Sequence, residues 1–189
     1  MQATTPPPDS DKNAWRKWLR EKIMAFEGAG AVSEAIRREV LSRVSRISDR
    51  DPRPLRIASF TALKGEPDLL PLLDEAPQHQ WAFPRIAGND LTFHRVSGRR
   101  DLHTGAFGIL EPSSSLPVVS VPDLDVILCP GMGFGRDLSR LGRGKGFYDR
   151  TLALASEKAT IIGIAFSCQV IDSVPTEPHD KRMHALVTD

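Results

Sequence analysis

Six glycines and four basic side chains lie within one short stretch of the chain, residues 128–149. The glycines are Gly131, Gly133, Gly135, Gly142, Gly144 and Gly146, and the basic residues are Arg136, Arg140, Arg143 and Lys145. An apolar run at 125–129 predicts a buried strand before the glycines, and residues 147–155 have the spacing of a helix. Glycines let backbone N–H groups approach anionic oxygens, and Arg and Lys add charge-assisted hydrogen bonds. This order of elements predicts a phosphate site.

Composition alone leaves a second interpretation open, because glycine clusters also mark turns and scattered arginines are commonly solvated. The stretch matches neither standard nucleotide loop. The loop Gly-x-x-x-x-Gly-Lys-Ser/Thr fails because Lys145 is followed by Gly146. The dinucleotide pattern Gly-x-Gly-x-x-Gly fails because its third glycine falls on Arg136 or Phe147. The residues therefore predict a phosphate site without specifying its ligand.

The composition of the chain predicts one soluble domain. Its 189 residues suffice for a hydrophobic core, and 40% apolar and 26% charged residues are ordinary values. A net charge of +1 gives no overall attraction to nucleic acid or to an anionic membrane. Cys129 and Cys168 lie singly in apolar runs, which favours buried thiols in a reducing compartment over a disulfide framework or a zinc site.

Neither a membrane span nor an export signal is predicted. No apolar stretch approaches the length of a span, and the N-terminus lacks both a basic start and an apolar core. We therefore expect a cytoplasmic protein with no nucleic-acid partner and no membrane partner.

The remaining elements predict alternating strands and helices around the glycine-rich stretch. Residues 1–10, with three consecutive prolines, predict a disordered lead-in, and residues 11–189 predict a single domain. The first of two N-terminal helices is expected to be capped by Asp9 or Ser10, and the second to run from about Ser33 to Ile47. Further helices are expected at 69–73 and 146–157. Strands are expected at 55–60, 81–86, 91–96, 125–129, 160–166 and 185–187.

The near-continuous apolar strands indicate a sheet that is covered by helices on both faces. We therefore predict a single-domain three-layer α/β/α sandwich with a mostly parallel central sheet and an N-terminal helical pair. The strands at 81–86 and 91–96 are expected to form a hairpin that turns at residues 88–90.

Three further positions carry polar groups that could serve a site. Glu66 follows the first strand at its carboxyl end, where open α/β sheets bind ligands, although it could instead cap the following helix. Arg85 either reaches an anionic ligand or lies on the surface. His179 and His184 are five residues apart, which is the wrong spacing for one helix face, so no histidine-based metal site is expected.

Ten consecutive residues of the glycine-rich stretch resemble a known family. Residues 140–149, Arg-Leu-Gly-Arg-Gly-Lys-Gly-Phe-Tyr-Asp, preceded by Pro-Gly-Met-Gly-Phe at 130–134, are similar to the pattern of the 5-formyltetrahydrofolate cyclo-ligases, also called methenyltetrahydrofolate synthetases. The resemblance extends from Lys12 onward and is strongest over 130–149. The sequence departs from the pattern at two positions, since Gly135 stands where the family usually has Asp and Leu138 where it usually has Gly.

The resemblance implies an ATP-dependent ligase that forms a ring. Such enzymes convert 5-formyltetrahydrofolate into 5,10-methenyltetrahydrofolate and release ADP and phosphate. The formyl oxygen is phosphorylated by ATP, and N10 then attacks the activated carbon. The implied co-substrate is ATP, the implied cofactor is Mg²⁺, and the implied partners are small molecules. We expect the chain to act as a monomer.

The resemblance also implies roles for individual residues. ATP would be bound by Lys12, Arg16, Arg140, Leu141, Gly142, Arg143, Gly144, Lys145, Gly146, Phe147 and Tyr148. The folate substrate would be bound by Thr61, Glu66, Arg143, Gly144, Lys145, Gly146 and Phe147. Arg143 and Lys145 would be catalytic, and Asp149 and Asp180 would hold Mg²⁺. The first helix offers two pairs at the same spacing, so its nucleotide pair is either Lys12 and Arg16 or Arg16 and Arg20.

Alternatives stay open beside these roles. Asp149 would be stabilised in the first turn of a helix without any metal, and basic residues of the first two helices are commonly solvated. A degenerate relative that binds folate or nucleotide without turnover is one alternative function, suggested by Gly135 and Leu138. An RNA-binding protein that uses the basic stripe at 136–150 is another. It is disfavoured because RNA readers combine exposed aromatic residues with broad positive charge.

Overall fold

The computed structural model describes residues 6–7, 10–50, 52–105, 108–178 and 180–189. Its helices are α1 (Lys12–Met24), α2 (Ala29–Ser48), α3 (Leu72–Glu75) and α4 (Phe147–Ala153). Its strands are β1 (Arg56–Ala58), β2 (Gln80–Ala87), β3 (Asp90–Val96), β4 (Leu102–Thr104), β5 (Leu110–Pro112), β6 (Val118–Val119), β7 (Val126–Pro130), β8 (Gly133–Gly135), β9 (Arg140–Leu141), β10 (Thr160–Ile164), β11 (Val170–Ile171) and β12 (Ala185–Val187).

A seven-stranded sheet forms the middle layer, in the order β12-β10-β7-β1-β2-β3-β6. The five strands from β12 to β2 are parallel to one another. β3 and β6 add to one edge in antiparallel pairs. The central sheet is therefore mostly parallel, as predicted.

The two faces of this sheet bury separate apolar clusters. Along β7 the side chains alternate, so that Val126 and Leu128 belong to one cluster and Ile127 belongs to the other. The helix α2 covers the first face through residues such as Val40, and α4 covers the second through Leu152. Side chains that alternate along a strand and are buried on both sides define three layers, which confirms the predicted α/β/α sandwich.

The helix α1 packs on a second, smaller sheet rather than on the central one. This sheet has the order β11-β8-β9. Trp15 and Leu19 of α1 are buried against Met132 and Leu141. Met132 lies immediately before β8, and Leu141 is the last residue of β9. The two N-terminal helices are therefore both present, but they pack against different parts of the fold. α1 is held close to the glycine-rich stretch, because β8 and β9 are part of that stretch.

The starts of both N-terminal helices differ from the prediction. Asp11, not Ser10, caps α1 by accepting a hydrogen bond from the backbone N–H of Ala14 at 2.7 Å. Asp9 and most of the expected lead-in lie outside the described residues. α2 begins at Ala29, four residues before the predicted start, and its N-cap Gly28 has a left-handed φ of 79°. Within the part of the chain that the structure describes, no helix is both long and apolar enough to cross a membrane.

The six predicted strands correspond to β1, β2, β3, β7, β10 and β12. The hairpin of β2 and β3 is confirmed, with Ala87 paired to Asp90 and Gly88 at a φ of 62°. The helix expected at 69–73 is reduced to α3, which begins after Pro71, and the helix expected at 146–157 ends at Ala153. The short strands of the smaller sheet and the β4–β5 ribbon were not predicted.

Candidate active site

The glycine-rich stretch lies at the carboxyl edge of the parallel strands. β1 and β7 are neighbours, with Ala58 paired to Ile127, so the segments after them leave the sheet close to each other. Open α/β sheets bind their ligands in this position. Two cavities are found here, of about 370 Å³ and about 680 Å³. Arg143 and Lys145 line both, so the loop of residues 142–146, called the 142–146 loop below, separates two spaces.

The smaller cavity is basic. It is lined by Asn13, Arg16, Lys17, Arg20, Arg143, Gly144 and Lys145. Five of these seven residues are cationic and none is acidic, so the complementary ligand is an anion.

The larger cavity has mostly apolar walls with a few polar groups. Its apolar side chains include Phe60, Leu63, Pro84, Ile86, Leu91, Ile109 and Phe147. Its polar side chains are Thr61, Glu66, Asn89, Glu111, Arg140, Arg143, Lys145, Tyr148 and Asp149. This volume and this lining are typical of sites for small organic molecules.

Arg16 ties α1 to the 142–146 loop. Its Nε donates to the carbonyl oxygen of Gly142 at 2.9 Å, and its Nη1 donates to Asn13 Oδ1 at 2.8 Å. Gly144 has a φ of 98°, and a Cβ added there would lie 3.4 Å from the Arg16 guanidinium carbon. A glycine at 144 therefore serves both the left-handed backbone and the close approach of Arg16.

Lys12 lies one turn earlier on α1 and lines neither cavity. Its ammonium contacts Asp180 Oδ2 at 2.9 Å and Glu177 Oε1 at 3.1 Å. Burial alone would lower the pKa of Lys12, but the hydrogen bonds to Asp180 and Glu177 raise it above the usual value. The structure thus joins one residue of the expected nucleotide site, Lys12, to one residue of the expected metal site, Asp180. Arg16 and Arg20, in contrast, both line the basic cavity.

Glu66 and Arg143 form an ion pair within the larger cavity. Arg143 donates from both Nε and Nη2 to Glu66 Oε1, each at 2.8 Å. The other oxygen, Oε2, accepts from the backbone N–H of Leu63 at 2.9 Å. The Glu66 side chain is only 4% exposed, and α3 does not begin until Leu72. Glu66 therefore caps no helix and instead holds a predicted catalytic residue.

Thr61 reaches the same cavity from the segment after β1. It is buried, and its hydroxyl donates to the carbonyl oxygen of Leu110 at 2.7 Å. This bond uses the hydroxyl hydrogen, so Thr61 offers a ligand its methyl group and the lone pairs of its oxygen.

Arg140 is buried at the start of the stretch and fixes the beginning of α4. Its side chain is 4% exposed, pairs through Nη2 with Asp149 Oδ1, and donates from Nη1 to the carbonyl oxygen of Pro130 at 3.2 Å. Its guanidinium carbon also lies 5.8 Å from the centre of the Tyr148 ring. The charge of Arg140 is thus largely neutralised by groups of the protein. Lys145, in contrast, pairs with no carboxylate in the described ranges.

Two buried groups beside Arg140 are uncharged at neutral pH. Burial raises the pKa of the Cys129 thiol to about 11. Burial, with the nearby Cys129 and Glu66, raises the pKa of Tyr148 well above its usual value. The hydroxyl oxygen of Tyr148 is buried and has no hydrogen-bond partner among the described residues. Cys129 is accordingly no nucleophile, and Tyr148 retains a hydrogen-bond donor for a ligand.

Comparison with known proteins identifies the family to which this arrangement belongs. The model of the 5-formyltetrahydrofolate cyclo-ligase family matches residues 11–189. The chain belongs to this family. A 5-formyltetrahydrofolate cyclo-ligase of Escherichia coli is 33% identical over 140 residues, which cover 70% of this chain and 76% of that one. The cyclo-ligase of Mycolicibacterium smegmatis is 42% identical over 83 residues, 43% of each chain, so the chain spans less than half the length of that relative.

A solved structure supports the same membership. The 5,10-methenyltetrahydrofolate synthetase of Aquifex aeolicus superposes with a TM-score of 0.77 at 32% sequence identity. The superposition covers 94% of this chain and 89% of the other. The predicted α/β/α sandwich is thus the fold of this family.

The two departures from the family pattern lie in one turn, residues 135–139, called the 135–139 turn below. Leu138 takes the left-handed φ of 69° that the usual glycine would adopt more easily. A Cβ at Gly135 would lie 2.1 Å from Asp137 Oδ1 and 2.3 Å from Ser139 Oγ. The Asp137 carboxylate therefore occupies the space that an aspartate at 135 would use. Neither Gly135 nor Leu138 lines either cavity.

The carboxylates expected to hold Mg²⁺ are each engaged by a cation. Asp149 is 36% exposed, lines the larger cavity and pairs with Arg140, whereas Asp180 pairs with Lys12. Protein sites for Mg²⁺ commonly supply one or two carboxylates and leave the other positions to phosphate and water. Asp149 fits that share. Asp180 could bind Mg²⁺ in this way only when Lys12 releases its carboxylate. The described residues hold no cluster of three or more metal-binding side chains.

Sequence reasoning missed Glu111, which lines the larger cavity. Glu111 of β5 is buried, and its Oε2 lies 3.4 Å from Nη1 of Arg85, which also donates to the carbonyl oxygen of Pro112 at 3.1 Å. Arg85 is therefore neither a plain surface residue nor, in this arrangement, an unpaired anion receptor. A strand of three residues is too short for a periodic signal, and only its burial and its pairing with Arg85 distinguish Glu111 from other carboxylates.

Proposed function

We propose that the protein catalyses the ATP-dependent cyclisation of 5-formyltetrahydrofolate to 5,10-methenyltetrahydrofolate, with release of ADP and phosphate. One observation carries this proposal. The 142–146 loop separates a basic cavity from a larger, mostly apolar one, and Arg143 and Lys145 line both. A reaction that moves a phosphoryl group from a polyanion to an organic acceptor needs this arrangement, since the cations must contact both reactants.

The chemistry requires activation of a poor electrophile. The formyl oxygen attacks the γ-phosphorus of ATP and ADP departs, which converts the formamide oxygen into a phosphate leaving group. N10 then attacks the formyl carbon and loses its proton, and the carbon–oxygen bond breaks to release phosphate. The substrate supplies both nucleophiles, so the protein contributes mainly position and positive charge.

Lys145 is the cation best suited to the transferred phosphoryl group. It is exposed, lines both cavities and is not bound to a carboxylate among the described residues. Arg143 adds charge on the same side but is oriented by Glu66. Arg16 and Arg20 line the basic cavity from α1 and would bind the rest of the polyphosphate.

The larger cavity would hold the folate. Phe147 lies on its wall together with apolar residues of β2 and β3, which suits a flat bicyclic ring. Tyr148 lines the same cavity, and its hydroxyl has no hydrogen-bond partner among the described residues. When bound, Mg²⁺ would supply positive charge to the phosphate groups, and Asp149, which lines the larger cavity, would hold it.

The experiment combines purified protein with 5-formyltetrahydrofolate, ATP and magnesium. It follows both the absorbance of the methenyl product and the release of ADP. We expect one ADP per methenyl product formed, and loss of both signals when magnesium is chelated. ADP release without methenyl product, or folate binding without either signal, would refute the proposal and indicate a degenerate relative. Since Gly135 and Leu138 lie outside both cavities, we expect full turnover.

A further inference from the structure

Glu111 lines the larger cavity but has no part in the reaction as proposed above. Its side chain is 4% exposed, and among the residues that the structure describes its Oε1 has no hydrogen-bond partner. Burying a carboxylate oxygen without a donor costs free energy. A ligand that brings an N–H group to this carboxylate would remove that cost.

The other oxygen of Glu111 is already committed. Oε2 lies 3.4 Å from Nη1 of Arg85, and a Cβ added at Gly105 would lie 2.4 Å from the same oxygen. Arg85 and the backbone at Gly105 thus fix one side of the carboxylate. The group is pre-oriented by the protein, and Oε1 is left as a free acceptor.

The cavity that Glu111 lines has mostly apolar walls. Pro84 precedes Arg85 on β2, and Ile109 lies two residues before Glu111. The hydroxyl hydrogen of Thr61 is donated to Leu110 and does not reach Glu111. The complementary ligand therefore has flat apolar faces and presents N–H donors on one edge.

We propose that Glu111 accepts hydrogen bonds from the 2-amino-4-oxopyrimidine ring of the reduced folate. This inference rests on the proposed function, which makes a reduced folate the occupant of the larger cavity. The ring carries an exocyclic amino group and an N3–H on the same edge, and the amino group can donate to Oε1, the acceptor that Arg85 leaves free. Glu111 is thereby a specificity-determining residue. By holding the pyrimidine ring, it sets how far the formyl group on the other ring extends toward Lys145.

The test measures ligand affinity without ATP, so that it does not depend on turnover. Calorimetry gives the Kd of 5-formyltetrahydrofolate and of its analogue with hydrogen in place of the 2-amino group, for the wild type and for Glu111→Gln. We expect the wild type to bind the parent about 10- to 100-fold more tightly than the analogue, the size of a charge-assisted hydrogen bond. In Glu111→Gln this ratio should fall to within about threefold, because the parent alone loses affinity.

The control is Asp123→Asn, which removes an exposed carboxylate outside both cavities and should leave both Kd values unchanged. Thermal unfolding reports whether each variant folds. If Glu111→Gln fails to fold, the double variant Arg85→Met/Glu111→Gln, which removes both charges, takes its place.

Two results would overturn the inference. One is a wild-type ratio that persists in Glu111→Gln, and the other is an equal loss of affinity for both ligands, which would make Glu111 only a shaping residue. Failure of the proposed function is seen separately, as folate binding by a wild type that makes no methenyl product. A wild type that does not bind 5-formyltetrahydrofolate at all would overturn both.

Discussion

The 135–139 turn and the 142–146 loop are only a few residues apart, yet they are stabilised in opposite ways. The turn is closed by its own groups: Gly135 N–H donates to Ser139 O at 2.9 Å, and Ser139 N–H donates to Asp137 Oδ1 at 3.1 Å. Arg182 then binds Asp137 from outside at 2.8 Å. Among the described residues, no backbone–backbone hydrogen bond of this kind closes residues 142–145.

The 142–146 loop is held instead by side chains of other elements. Arg16 of α1 binds Gly142, Glu66 binds Arg143, and Arg150 of α4 donates to the carbonyl oxygen of Lys145 at 3.2 Å. Its own backbone N–H groups and the Lys145 ammonium stay available to a ligand. The turn therefore depends on its own polar groups, whereas the loop depends on side chains from other elements and leaves its own donors to a ligand.

The largest effect that we expect comes from removing the Lys145 ammonium from the 142–146 loop. Lys145→Ala should lower kcat/KM for ATP by about 100- to 1000-fold, because a preorganised positive charge at the transferred phosphoryl group is lost. The free energy of unfolding should stay unchanged, since the ammonium pairs with no carboxylate among the described residues. Steady-state kinetics and urea unfolding check the two statements. Lys158→Ala, an exposed lysine outside the site, is the matched control, and equal activity of the two variants would contradict the assignment of the loop.

Arg140 lies where the two regions meet, and its removal should damage both. Arg140→Ala leaves Asp149 without its partner, so we expect the free energy of unfolding to fall by about 3 kcal/mol and activity to fall as well. Urea unfolding of Arg140→Ala, Asp149→Ala and the double variant measures the coupling. Strict additivity of the two losses would show that the ion pair contributes nothing.

The folding pattern was largely accessible from the sequence because it depends on local alternation. The run at 125–129 alternates between two buried faces, and β7 places those side chains in two clusters on opposite sides of the sheet. The smaller sheet was not predicted, since β8 and β9 have three and two residues and no periodicity to detect. Their pairing depends on distant partners such as Val170, which lies beside Phe134.

The residues of the candidate site also differ in whether local sequence or distant pairing determines their role. The composition of residues 140–149 predicts an anion site, and the structure places this segment beside two cavities. The position of Lys12, in contrast, is decided by Asp180, 168 residues away in sequence. Glu111 likewise depends on Arg85 of another strand. Residues whose role arises from pairing between distant elements leave no pattern in the local sequence.

A smaller effect tests the steric matching of the turn. A Cβ at Gly135 would meet Asp137 and also the backbone Cα of Ser173 at 2.9 Å, and the backbone contact cannot be relieved by a side-chain rotation. Gly135→Ala should therefore lower the free energy of unfolding by about 2 kcal/mol and leave kcat unchanged in the folded fraction. Gly98→Ala is the matched control, because nothing lies within 4 Å of its added Cβ. A loss of kcat in Gly135→Ala would show that the turn and the loop are not independent.

The smallest effect concerns Lys12, whose ammonium pairs with Asp180 although the resemblance implies that it binds the nucleotide. Its pKa is raised above the usual 10.5 in the folded protein, so the ion pair stabilises the fold fully below pH 10.5 and ceases to do so as pH rises through the folded pKa. Lys12→Met should therefore cost about 0.5–1 kcal/mol at pH 7, and the difference from wild type should shrink in the alkaline range. Urea unfolding of both proteins at pH 7 and in the alkaline range measures this difference. A difference that persists undiminished at alkaline pH would exclude the pair as its cause, and an accompanying rise in KM for ATP would show that Lys12 leaves Asp180 for the nucleotide.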